Sequence, residues 1–211
     1  MIGRGRRSPR AALAAFGVVL GLWQPAAMAD RELAGMTIAE ELRIDPEATK
    51  LFLQGAHVRT YLFRDITLFA LYAAEPSSDF ATLAASPGAK RVAVTVLRSE
   101  FSAESFRAGW RQQFDAALSV EEQQRLAPQI AEFIETFETL KRGDQLAFDF
   151  VADAVRVSVR GSEKRVIRSR EFAVALLGVW LGPRSVDAAL RRALLGSSMQ
   201  EGERRRSPSG S

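Results

Sequence analysis

Gln54-Gly55-Ala56-His57-Val58-Arg59-Thr60-Tyr61-Leu62-Phe63-Arg64-Asp65-Ile66-Thr67-Leu68-Phe69-Ala70-Leu71-Tyr72-Ala73-Ala74-Glu75 is the stretch on which the reading of this chain turns. Residues 60–74 contain no Gly or Pro, are rich in aromatic and branched side chains, and place apolar residues at both odd and even positions. That pattern predicts a central strand buried on both faces, with 54–58 as the turn that delivers Arg59 to it. Arg59, Asp65 and Thr67 lie on one parity, so a regular strand puts them on a common face, where an unpaired charge is costly.

Outward from this stretch, short extended segments are expected around Met36–Ile38 and Leu42–Ile44, with Asp45-Pro46 as a turn and 49–53 as another short strand. Ser77-Ser78-Asp79 caps a short helix over 80–85, and Pro87-Gly88 ends it. Residues 90–98 alternate as a strand does. Ser102 opens a helix in which Phe106, Trp110, Phe114 and Leu118 recur every fourth residue, an aromatic stripe for the core or for a cavity. Ser119-Val120-Glu121-Glu122 is a capping box for the next helix, which Pro128 interrupts or restarts and Lys141-Arg142-Gly143 closes. Residues 145–151, 155–160 and 164–168 read as an antiparallel meander with tight turns at Asp153 and Gly161. An apolar segment over 170–181 ends at Gly182-Pro183, and Ser185 caps a last helix carrying Val186, Leu190, Leu194 and Leu195. Strands with helices inserted between them, and no βαβ alternation, predict an α+β fold with an antiparallel sheet.

The 211 residues suffice for one domain with a real core, and 47% hydrophobic with 26% charged residues is ordinary for a globular protein. The formal charge of +4 misleads. Arg4, Arg6, Arg7 and Arg10 account for all of it, and they belong to a segment that reads as a signal peptide: a basic start, an apolar run over 11–23, and Ala27-Met28-Ala29 before Asp30. The expected domains are a signal peptide over 1–29, one domain over 30–196, and a Ser-, Gly- and Arg-rich tail over 197–211 read as disordered. Export to the periplasm follows, by the general or the twin-arginine route, with no stable membrane span after processing. A mature chain without net charge gives no support to nucleic-acid binding.

Motif searches exclude more than they assign. The chain has one His and no Cys, and it lacks a Gly-rich phosphate loop, a GxSxG and an HExxH. No metal and no cofactor is therefore expected, and His57 reads as a hydrogen-bonded or solvated turn residue.

Three segments together resemble the bacterial chalcone isomerase-like family of exported proteins: Gly55–Arg59 running into Ile66–Tyr72; Lys90–Arg98 followed by the helix with Phe106; and Phe172–Pro183 with Leu190–Gly196 behind it. The resemblance implies an open-faced β-sandwich, a long antiparallel sheet with helices layered on one face and a cleft between. Plant chalcone isomerases hold the substrate's phenolate with an arginine, a threonine and a tyrosine, and further polar residues line the cleft. Arg59 looks like that arginine and Thr67 like the strand threonine. Phe106 falls where the tyrosine would be, Gln113 where an asparagine would be, and Val179 near the last hydroxyl. Loss of the tyrosine hydroxyl removes a donor to developing oxyanion charge, which argues against chalcone cyclisation. The same fold serves plastid proteins that bind fatty acids through an arginine and a tyrosine.

The expected ligand is thus a small anionic, lipid-like or aromatic acid, bound by Arg59, Thr67, Phe106, Trp110, Gln113 and Val179. Two other readings stand beside it. One is an isomerase or intramolecular lyase using Arg59 and Thr67. The other is a non-catalytic envelope protein in which Arg59 is structural, paired with Asp65, Asp149 or a helix-end carbonyl. Oligomeric state is not legible.

Overall fold

The structure is a computed structural model that describes residues 30–45 and 48–196; the signal-peptide and tail assignments, and Pro46, lie outside the described residues. In chain order the elements are β1 (Arg31–Leu33), β2 (Met36–Ile38), β3 (Glu41–Arg43), β4 (Lys50–Tyr61), β5 (Arg64–Ala73), α1 (Phe80–Ala85), β6 (Lys90–Val96) and β7 (Glu100–Phe101). They continue with α2 (Ala103–Ala117), α3 (Val120–Glu135), β8 (Leu140–Lys141), β9 (Gln145–Val151), β10 (Ala154–Val159), β11 (Ser162–Arg168), α4 (Arg170–Leu181) and α5 (Ala188–Leu194). Seven strands form one antiparallel sheet in the order β11-β10-β9-β6-β5-β4-β3. The α+β class and the long antiparallel sheet are as the sequence predicts.

The stretch around Arg59 is two strands rather than one. β4 and β5 form a hairpin closed by Leu62 and Phe63, which take φ of 47° and 63°, with Tyr61 paired to Arg64. Two successive left-handed residues make a type I′ closure, normally signalled by Asn-Gly or Asp-Gly. Leu-Phe carries no such signal, and so the sequence reads as continuous. Burial on both faces holds for β5 alone, from Thr67 to Ala73.

The expected turn over 54–58 is instead the middle of β4. Gly55 marks a close approach, because a Cβ there would stand 2.0 Å from the Ala193 carbonyl oxygen and 2.8 Å from that of Leu194. The C-terminal turn of α5 thus lies directly on the strand. Gln54, the extra residue of a bulge, donates to the Ser77 and Leu194 carbonyls at 2.9 and 3.2 Å.

Alternation sends two sets of side chains to opposite faces of the sheet. Val92, Val94 and Val96, with Phe69, Leu71, Leu146, Phe148, Val155 and Val157, meet the helices in the main core. Leu68, Ala70 and Tyr72 meet Ile38 and its neighbours on the other face.

The helix starts at Asp79, Ser102 and Ser119 are as expected, each side chain accepting an N–H of the first turn, and Ser119 with Glu122 completes the capping box. Two helix limits differ from expectation. α3 runs through Pro128 but ends at Glu135, and Phe137 and Leu140 are buried from the segment beyond it, where Leu140–Lys141 pairs with β7. An apolar i, i+3, i+4 pattern reports burial, which a loop can also provide. α5 is capped by Asp187, whose side chain accepts from the Leu190 N–H, so Ser185 and the exposed Val186 precede the helix.

Candidate functional site

The β4–β5 register decides the site. Arg59 stands opposite Thr67 across the antiparallel pair, and Ile66 is the bulged residue that shifts the next pair to Thr60 and Asp65. Arg59 and Thr67 therefore share a face by pairing between strands, not by parity along one strand. Asp65 is exposed and accepts from the Thr60 hydroxyl at 3.2 Å, and it forms no ion pair with Arg59.

Over this pair lies α2. Phe106, Trp110 and Gln113, at i, i+4 and i+7, present one helical face to the sheet. Together with Arg59 and Thr67 they line a cavity of about 380 Å³. Ligand pockets occupy about 300–1,000 Å³ and combine apolar walls with a few polar groups, as this one does. Phe69, Phe148 and Trp180 complete the apolar wall. Val179, the sixth expected residue, is absent from the wall and buried in the core of α4; its neighbour Trp180 faces the cavity.

Phe106 packs edge-on against Phe101, Phe137 and Trp110, with ring centroids 5.6, 5.0 and 6.3 Å apart. An apolar ring fixed on three sides occupies the place where the resemblance puts a phenol, and it has no proton to donate. Trp110 also stacks on Phe137 and meets Phe133 edge-on, so the stripe serves the core and the cavity at once.

Arg59 has a partner that local sequence did not indicate. Its Nε lies 3.5 Å from Oδ2 of Asp187, with the two side chains 41% and 22% exposed. Oδ1 of the same carboxylate accepts from the Leu190 N–H at 2.9 Å. One oxygen thus caps α5 while the other faces the cation. Asp187 is itself on the cavity wall. The terminal Nη groups of Arg59 and the Thr67 hydroxyl make no hydrogen bond among the described residues. Gln113 donates only to the Gly109 carbonyl, at 3.4 Å. The Nη groups of Arg59 and the Thr67 hydroxyl, on the wall of an apolar cavity and without protein acceptors, are donors of the kind that an anionic headgroup would need.

The opposite face of the sheet carries a larger cleft, about 620 Å³. Its charges are already matched. Arg91 donates to both oxygens of the buried Asp149, at 2.5 and 2.8 Å, and Arg156 pairs with Asp45 and Glu163. Asp149 is thereby occupied and is not the partner of Arg59. The smaller, more apolar cavity, whose cation keeps its fork open, is the better candidate. Among the described residues no group of His, Asp and Glu is arranged to hold a metal ion.

Set against known proteins, the fold falls into one class. The chalcone isomerase-like family model matches residues 30–196, the whole of the described domain, and the chain belongs to that family. Among solved structures it is similar to the fatty-acid binding protein AtFAP1 of Arabidopsis thaliana. That likeness has a TM-score of 0.61 at 13% identity and covers 78% of this chain and 93% of that one, which establishes the shared fold. No curated protein matches the sequence.

Proposed function

We propose that this protein binds a small anionic, apolar molecule, a fatty acid or an aromatic acid, in the Arg59 cavity, and that it does so after export to the periplasm without cyclising chalcones. The observation that carries the reading is a half-exposed guanidinium with an open Nη fork, opposite the unengaged hydroxyl of Thr67, at an apolar cavity walled by Phe106 and Trp110. A carboxylate held by that fork gains a charge-assisted, two-point contact while its chain replaces water in the cavity. The fatty-acid binding activity of the structural neighbour is consistent with this ligand class. Phe106 argues against the isomerase alternative, because the donor expected to steady an oxyanion is missing.

The Asp187 contact favours a second reading, in which Arg59 ties β4 to the start of α5 and holds the fold. Thermal melts of wild type and Arg59→Met, with and without dodecanoate, separate the two. On the binding reading the unliganded melting temperature barely changes, and the affinity for dodecanoate falls by about 1.5–3 kcal/mol, the worth of a hydrogen bond to a charged group. A large loss of unliganded stability with dodecanoate binding intact would assign Arg59 to the fold.

A further inference from the structure

The hairpin that carries Arg59 and Thr67 ends in three large exposed side chains. Tyr61 and Leu62 are 66% and 72% exposed, and Phe63 is fully exposed. Leu62 and Phe63 both hold left-handed backbone angles, which Asn and Gly adopt far more readily than bulky residues do. A turn selected only to close the hairpin would not place Leu and Phe there. The tip also adjoins the cavity, since Thr60 and Tyr61 belong to its wall. Arg64, exposed and without an ion pair among the described residues, follows directly.

We propose that this tip is a membrane-docking element: Tyr61, Leu62 and Phe63 enter the headgroup and acyl boundary of a lipid surface and bring the cavity mouth to it. Size selects this occupant. A stable protein interface needs about 800 Å² from each partner, which three side chains at the end of a hairpin do not supply. A shallow wedge reaching about 5–10 Å into a bilayer needs no more than such a tip. The residue types agree, because Tyr sits at the interface, Leu and Phe go below it, and Arg64 can reach lipid phosphates. The bond is weak and reversible, as suits a protein that collects or delivers an amphiphile and leaves.

The inference shares the cavity mouth with the binding reading but not its ligand, so its test is run without one. The chain beginning at Asp30 is used, so that the apolar run over 11–23 contributes nothing. Flotation with vesicles of phosphatidylethanolamine and phosphatidylglycerol compares wild type with the double variant Leu62→Asn, Phe63→Gly. Wild type should float with the vesicles, and the variant's apparent affinity should fall by about tenfold or more as the apolar wedge is removed. The melting temperature of the variant should equal or exceed that of wild type, because Asn-Gly suits the turn. Acyl chains brominated near the headgroup should quench the fluorescence of Tyr61→Trp more strongly than that of wild type. Equal flotation of the two proteins, absence of wild-type flotation, or a variant that melts well below wild type would each overturn the proposal. So would a wild-type dimer that the substitutions dissociate without any vesicle binding, which would assign the tip to a second copy of the chain. Dodecanoate binding that fails while flotation succeeds would remove the ligand reading and leave the docking element in place.

Discussion

Asp187 does two things with one carboxylate, and the pairing makes a sharp prediction. Asp187→Asn keeps a good helix cap but withdraws the charge that competes for Arg59. An exposed ion pair is worth about 0.2–1 kcal/mol, so dodecanoate binding should tighten by up to about fivefold in a titration, with the melting temperature little changed. Unchanged or weaker binding would show that the carboxylate positions the guanidinium rather than competing for it. Arg59 was legible because a cation stands out in an apolar stretch; Asp187 was not, since nothing local links residues so far apart in the chain. Tyr72 offers a test of the other face. It is 4% exposed, and its hydroxyl is pushed up from 10.0 to about 12, chiefly by burial and then by the nearby Glu40 carboxylate. A raised value in the folded state means that stability is fully present below pH 10.0 and is lost as pH rises toward about 12. Urea unfolding across that range should therefore be less steeply pH-dependent in Tyr72→Phe than in wild type. Parallel profiles would show that the phenol ionises as freely folded as unfolded.

At the scale of elements, the contact between β4 and α5 sets the geometry of the site, because α5 brings Asp187 to Arg59. Gly55 permits that contact. Gly55→Ala would drive a methyl group into the Ala193 carbonyl, and backbone cannot yield as a flexible side chain can. A loss of about 3 kcal/mol or more is expected in denaturant unfolding; a change within about 0.5 kcal/mol would mean that the helix moves freely. The elements most legible in sequence were those with local chemistry: the Ser102 and Ser119 caps, the alternation of β6, and the β9–β11 meander with its tight turns. The β4–β5 hairpin was not, because its closing residues are chosen against turn propensity and Gly55 mimics a turn while serving a packing contact. The helix expected to close at Lys141-Arg142-Gly143 likewise stops at Glu135, because the burial of Phe137 and Leu140 beyond it needs no helix.

For the molecule as a whole, the proposed place of work outside the cytoplasm rests on how the N-terminus is processed. The family match begins at residue 30, directly after Ala27-Met28-Ala29, where the sequence predicts signal-peptide cleavage. Processing at this point would remove four arginines and leave no net charge, which lets the protein approach a lipid surface through its apolar tip rather than by general attraction to anionic headgroups. Two measurements test the proposed export and the proposed docking together. N-terminal sequencing of the protein recovered from the periplasm of a Gram-negative host should begin at Asp30, and Ala27→Asp with Ala29→Asp should hold the precursor at the membrane by spoiling the small-residue site. Vesicle binding of the mature chain should weaken little with added salt, since the wedge is apolar, whereas the uncleaved form should be strongly salt-sensitive through its basic start. A cytoplasmic product beginning at Met1 would remove the export reading, and steep salt dependence of the mature chain would replace the apolar wedge with an electrostatic contact.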